Sequence, residues 1–153
     1  MSQDRKTIEL DQLLGKLNPD KIQEYFRENE DSLFLESNAF SAYMRDNFKK
    51  KGYSMQEVFL RADMPERYGY KIVAMEKHTV QRDVILRLCI ASGFTLEETN
   101  RALKLYGVNE LYSKVARDAV IIVALRNKVY NVDEINELLE KNHFEKLYSF
   151  KVE

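Results

Sequence analysis

An all-helical protein is what this sequence predicts, and three observations carry the prediction. Ser54 with Glu57, Thr95 with Glu98 and Asn131 with Glu134 form three Ser/Thr/Asn-x-x-Glu patterns at the head of apolar runs. Such a pattern satisfies free N–H groups in the first turn of a helix, so each marks a helix start. Two prolines and five glycines in 153 residues, with 32% charged residues, leave few breaks. Apolar residues recur at spacings of three and four, and no segment alternates with the two-residue period of a strand.

Taken in order, Ile8, Leu10, Leu13, Leu14 and Leu17 mark a short first helix. Asn18-Pro19 sets a cap before a proline at the first helical position, where a missing N–H costs nothing. Ile22, Tyr25 and Phe26 follow at i, i+3 and i+4 and predict a buried stripe. Glu28-Asn29-Glu30-Asp31 breaks that pattern and reads as a loop. Residues 1–38 are therefore expected to be an N-terminal helical hairpin; the leucine spacing is too regular for a mobile tail.

Phe40, Tyr43, Met44 and Phe48 give the next stripe, which Gly52 stops. The Ser54–Glu57 box then starts a helix at Met55, and Pro65 suits the first position of another. Asp63-Met64 lies between them, leaving a turn of about three or four residues, the spacing of a helix-turn-helix. Gly69 interrupts the second helix at a cost of about 1 kcal/mol relative to alanine. The expectation is that Tyr68 packs inward and Gly69 makes room for the large Phe59.

Val84, Ile85, Leu88, Cys89 and Ala91 predict a buried helix ended by Gly93, with Cys89 as a small core residue rather than a reactive thiol. The Thr95–Glu98 box opens a helix through Leu103 that ends near Gly107. In the helix from Ala116 to Asn127, Val120 to Leu125 is apolar on every side. Such a helix is expected to be buried all round, at the centre of the core or under a second subunit. The Asn131–Glu134 box starts the last helix, with Val132, Ile135, Leu138 and Leu139 inside, and the final two helices form a hairpin. No internal repeat at a fixed period and no low-complexity segment is evident.

The bulk numbers narrow the function classes. One cysteine rules out an internal disulfide framework and fits a reducing compartment. Met1 to Leu10 lacks the apolar run of a signal peptide, and the longest apolar run, Ala119 to Leu125, is far short of the roughly 20 residues of a membrane span. A soluble cytoplasmic protein without membrane contact is expected. Net charge is −1, unevenly placed. Residues 1–38 hold five Lys and Arg against nine Asp and Glu; residues 39–82 hold nine against five; residues 83–153 hold ten against eleven. The one basic segment thus contains the helix-turn-helix pattern, as a DNA-docking patch requires. Lys49-Lys50-Lys51 reads equally well as a favourable C-terminal helical turn.

Catalysis is not expected. His78 and His143 are far apart, no His or Cys pair has zinc spacing, and no glycine-rich phosphate loop is present. No cofactor is implied.

Tyr53 to Leu96 resembles the helix-turn-helix of the lambda-repressor-like (Xre) regulators. The resemblance rests on Lys51-Gly52 at the end of a helix, the Ser54 cap, apolar Val58, Ala62, Met64 and Ile72, and the exit Gly93-Phe94-Thr95-Leu96-Glu97-Glu98. Tyr68-Gly69-Tyr70 and Arg117-Asp118-Ala119 are similar to segments of Xre-type proteins of Gram-positive bacteria. Phe59 stands where such motifs carry a small residue, and Asp63 where they carry glycine. Met75 to Gln81 lacks their usual Gly and Pro.

The resemblance implies an all-α, lambda-repressor-like helix-turn-helix bundle with an N-terminal helical hairpin (1–38), a helix-turn-helix domain (39–107) and a C-terminal helical extension (108–153). It implies sequence-specific binding of double-stranded DNA by a homodimer. The residues it assigns to DNA are Ser54, Met55, Gln56, Glu66, Arg67, Tyr70, Lys71 and Lys77. Arg67 would read guanine through O6 and N7, and Glu66 would accept from cytosine N4. Lys71 and Lys77 would neutralise phosphates, Gln56 would bond a phosphate or adenine, and Ser54 would offer its N–H or hydroxyl to phosphate. Phe59 and Glu66 also favour an alternative: an adaptor that keeps the fold, binds a protein partner and does not bind DNA.

Overall fold

The computed structural model describes residues 6–29 and 38–150, which are helical with no strand among them. The chain divides into two compact units, Met1–Ser37 and Asn38–Glu153. In the first, α1 (Thr7–Gly15) is followed by a 3-10 turn (Pro19–Lys21) that runs into α2 (Ile22–Glu28). Pro19 opens that turn as the sequence implies, although the Asn18 side chain makes no capping bond. The expected buried stripe is reduced to Tyr25; Ile22 is half-buried and Phe26 is exposed. No residue of α1 is buried, and Ile8 and Leu14 lie open to solvent. Two helices this short offer too little facing surface to enclose a core. Glu30 and Asp31 of the expected loop lie outside the described residues.

The second unit contains α3 (Ala39–Lys50), α4 (Met55–Arg61), α5 (Glu66–Val73), α6 (Arg82–Ala91), α7 (Leu96–Tyr106), α8 (Ala116–Arg126) and α9 (Val132–Lys141). One core runs through all of them, from Phe40, Met44 and Phe48 through Phe59 and Ile72 to Ile121, Ile135 and Leu139. Its axis is α6, in which every residue from Val84 to Ala91 is buried. Burial pushes the Cys89 thiol well above its ordinary range, so Cys89 is the inert core residue its position implied.

The Ser54–Glu57 and Thr95–Glu98 boxes form with both hydrogen bonds. At Asn131 only half of the box forms: Glu134 donates its N–H to Asn131 Oδ1 at 3.0 Å, and no return bond is made. Three chain reversals use glycines at positive φ, Gly52, Gly93 and Gly107. Four others use Asp63, Met75, Lys128 and His143 in the same left-handed region. A side chain there crowds the backbone and costs roughly 1–2 kcal/mol.

α6 and α7 form a hairpin whose polar framework recurs in α8 and α9. Arg82 and Asp83 lie in the first turn of α6, and Arg117 and Asp118 in the first turn of α8. Arg82 grips Asp118 through both oxygens, and Arg117 grips Asp83 in the same way at 3.2 and 3.0 Å. Asp118 also accepts the Tyr112 N–H at 3.0 Å, and Asp83 the Tyr148 N–H at 2.9 Å. Arg82 reaches the carbonyls of Asn109 and Glu110, and Arg117 those of Glu145 and Lys146. Asn100 accepts from the Leu111 N–H and Asn136 from the Leu147 N–H, at 2.9 and 2.8 Å. α6 packs on α9 as α8 packs on α7.

Each hairpin therefore holds the other by the same contacts, an approximate two-fold exchange. This corrects the expectation that the chain has no internal repeat. The repeated positions are Arg-Asp, the cap, the Asn and Leu-Tyr-Ser, spaced 35 or 36 residues apart. The helix interiors between them differ, and Tyr130 shifts the register by one.

A second correction concerns α8. Val123 is 60% exposed, and Ala119, Val120 and Ile122 are only half-buried. The all-round burial read into this segment belongs to α6 instead, which α4, α7 and α9 cover.

Candidate nucleic-acid interface

α4 and α5 meet through the turn Ala62–Pro65. Asp63, at φ 53, makes the left-handed reversal for which glycine is the usual residue; aspartate tolerates it better than most. Pro65 sits one residue outside α5 as its N-cap, not at its first helical position. Its carbonyl still accepts the Gly69 N–H at 2.9 Å, so the proline leads directly into the helix. Gly69 is buried, and a Cβ there would lie 2.5 Å from the Phe59 ring. The glycine is what allows α5 to close on α4. Tyr68 turns inward to Phe150, with ring centroids 5.0 Å apart.

The residues assigned to DNA fall in different settings. Glu66, Arg67 and Tyr70 are exposed on α5, and Lys71, one turn after Arg67, is half-buried. Gln56 Nε2 donates to Glu66 Oε1 at 3.0 Å, joining the start of α4 to the start of α5. That bond occupies the amide N–H expected to meet phosphate and holds the Glu66 carboxylate at the edge of the surface. Ser54 uses its N–H and its hydroxyl oxygen in the capping box, leaving only the hydroxyl hydrogen to donate. Met55 is half-buried and packs against the core. Tyr70 rests on Phe59 at 5.0 Å between centroids. Lys77 lies over the Tyr68 ring, 5.2 Å from its centroid, beyond the end of α5. Gln56, Glu66, Arg67, Tyr70 and Lys71 thus form one group, with Ser54 and Lys77 at its margins.

Most arginines of the unit have structural partners, whereas several exposed lysines, Lys49, Lys104, Lys114 and Lys128 among them, take part in no ion pair among the described residues. Arg61 donates to the carbonyls of Ala91 and Tyr130. Buried Arg87 donates to those of Ala62, Leu147 and Tyr148, and desolvation lowers its pKa. Arg82 and Arg117 hold the two hairpins, and Arg126 pairs with Glu97 at 2.6 Å. Of the lysine run, Lys51 pairs with Glu98 at 2.8 Å and Lys50 with Asp46 at 3.0 Å. These are helix-end and inter-helix bonds, which favours the structural reading of that run. Among the described residues, Arg67 and Lys71 take part in no ion pair.

Sequence reasoning missed Leu60. It is 82% exposed on α4 and lines a shallow groove with Phe59, Asp63, Met64, Pro65 and Phe150. Its signal was available, because Val58 and Phe59 already supply the inward residues of that turn and leave Leu60 outward. The role of Arg87, a charge in the middle of the most buried helix, had no readable signal. Among the described residues no group of His, Cys, Asp and Glu comes together to hold a metal, and no helix is long and apolar enough to cross a membrane. Compared with known proteins, the chain matches no family model, no curated protein and no solved structure.

Proposed function

We propose that this protein is a DNA-binding transcriptional regulator of the lambda-repressor-like helix-turn-helix kind, acting in the cytoplasm, with α5 in the major groove and the start of α4 against the backbone. The observation that carries the reading is the pair Arg67 and Lys71. They stand one turn apart on α5 and make no ion pair among the described residues, in a unit whose other arginines largely serve carbonyls and carboxylates. A guanidinium near the N-terminal end of such a helix reaches base edges, where it bonds guanine bidentately. An ammonium one turn on meets phosphate. Gln56 fixes Glu66, so the carboxylate is positioned to accept from cytosine N4.

The test is a set of fluorescence-anisotropy isotherms on the promoter duplex upstream of the gene and on a scrambled duplex. Arg67→Ala should cost roughly 1–3 kcal/mol on the promoter and relax preference at one base pair. Lys71→Ala should weaken both duplexes about equally and reduce the salt slope by about one unit. Wild-type protein that fails to bind at low salt, or binds both duplexes equally weakly, rules the regulator out.

A second reading has its own observation. Leu60 and its groove give the α4–α5 turn an apolar surface that DNA does not need. On this reading the protein is an adaptor whose partner covers Leu60. Leu60→Glu would then abolish the partner interaction, whereas it leaves the Arg67 dependence of a DNA complex in place.

A further inference from the structure

We propose that the uncovered face of α8 docks a second copy of this chain, α8 against α8, with the two helices antiparallel. The repeated hairpins show what is missing there. In the first hairpin the outer face of α6 is covered by α4: Arg87 donates to the Ala62 carbonyl at the end of α4, and Arg61 of α4 donates to the Ala91 carbonyl at the end of α6. In the second hairpin the corresponding face of α8 has no such cover among the helices of the unit. Leu88 of α6 corresponds to Val123 of α8; the first is 0% exposed and the second 60%. Arg87, which serves a covering helix's carbonyl, corresponds to Ile122. The second face has lost the group that caps a neighbouring helix end and is instead apolar throughout.

The face complements itself. Val115, Ala119 and Val123 recur every four residues and form a stripe about 12 Å long. An antiparallel pairing centred on Ala119 sets Val115 against the partner's Val123 and puts the small side chain at the crossing, where two helices come closest. The helix dipoles then oppose one another favourably. Glu110 lines a cleft with Val115 at the N-terminal end of this face and exposed Lys128 follows its C-terminal end, so an antiparallel pair brings opposite charges together at each end. Lys114 shares the end of Glu110, and Arg126 at the other end is already held by Glu97. One face of an 11-residue helix with its flanking loop falls short of the roughly 800 Å² per partner of a standard interface, so the association is micromolar.

Sedimentation equilibrium of the full chain without DNA tests this independently of the proposed function. Over about 1 to 200 µM, the range that micromolar association spans, the mass should rise from 18.1 kDa toward twice that value. Val123→Glu buries a charge in the interface and should weaken association at least about tenfold. The melting transition should be unchanged, because Val123 is exposed in the single chain. Under mild oxidation Ala119→Cys should give a covalent dimer, and Lys104→Cys, at an exposed position of α7, should not. Wild-type protein at 18.1 kDa throughout, equal association of Val123→Glu, or equal cross-linking of the two cysteine variants overturns the proposal.

Discussion

The two hairpins of the second unit share one polar framework and differ in what lies against them. α6 is buried along its length; α8 leaves one face open. The framework explains why both fold alike. Each helix carries Arg-Asp in its first turn, each Asp accepts a guanidinium and a backbone N–H, and each Asn ties down the following Leu-Tyr-Ser segment. The cover explains the difference in side chains. Beneath α4, α6 carries Leu88 and a buried arginine that satisfies three carbonyls. Where no helix lies, α8 carries Val123 and Ile122. A repeated scaffold thus presents one surface to α4 and leaves the corresponding one uncovered by the other helices of the unit.

The sharpest way to break the comparison is to remove its two carboxylates in turn. Asp118 is 2% exposed and faces Arg82, whereas the Asp83 side chain is 16% exposed and faces Arg117. Asp118→Ala removes a buried carboxylate that holds both Arg82 and the Tyr112 N–H, and should cost about 3–5 kcal/mol in urea unfolding. Asp83→Ala removes the less buried of the two carboxylates and should cost about 1–3 kcal/mol. The reverse order would mean that the two ion pairs are not equivalent in the way the bonding suggests.

Next in size is the cover of the first hairpin. Gly69→Ala pushes a methyl group into the Phe59 ring and should destabilise by about 1–3 kcal/mol. Adding Phe59→Leu should recover part of that loss, so a double-mutant cycle on the two positions shows favourable coupling. Additive costs would mean that α5 is held by something other than this contact.

The smallest effect sharpens the comparison at equivalent exits. Gly93 and Lys128 both take positive φ after the first helix of their hairpins. Lys128→Gly should raise stability by about 1 kcal/mol, and Gly93→Ala should lower it by a similar amount, measured as shifts in the urea midpoint. The sequence set these sites apart only by residue type, and a shared backbone conformation predicts opposite signs.

Much of this was readable beforehand, for physical reasons that also mark the gaps. The boxes at Ser54 and Thr95 and the exits at Gly52, Gly93 and Gly107 are local, and local chemistry decides them. Gly69 against Phe59 was legible because a glycine within a helix, paired with a large ring on its neighbour, marks a close approach of the two helices. The open face of α8 was not, because an apolar run records what a helix can bury and not how many neighbours reach it. The repeat was hidden because its signature lies in the polar residues that cross between hairpins, while the interiors diverged. In the candidate interface, Arg67 is exposed and Lys71 half-buried, and neither takes part in an ion pair among the described residues. Gln56 and Ser54 are not free in this way, since each found an intramolecular partner that spacing along the chain cannot reveal.

The central claim is that α5 is the surface DNA touches. Titration of the ¹⁵N-labelled full chain with the promoter duplex, followed by amide chemical shifts, tests it directly. The account predicts that Gln56 and the amides from Glu66 to Lys71 shift first and most, that Lys77 follows, and that Val115 to Val123 change little. Shifts confined to Leu60, Asp63 and Phe150, or no shifts at low salt, would contradict it.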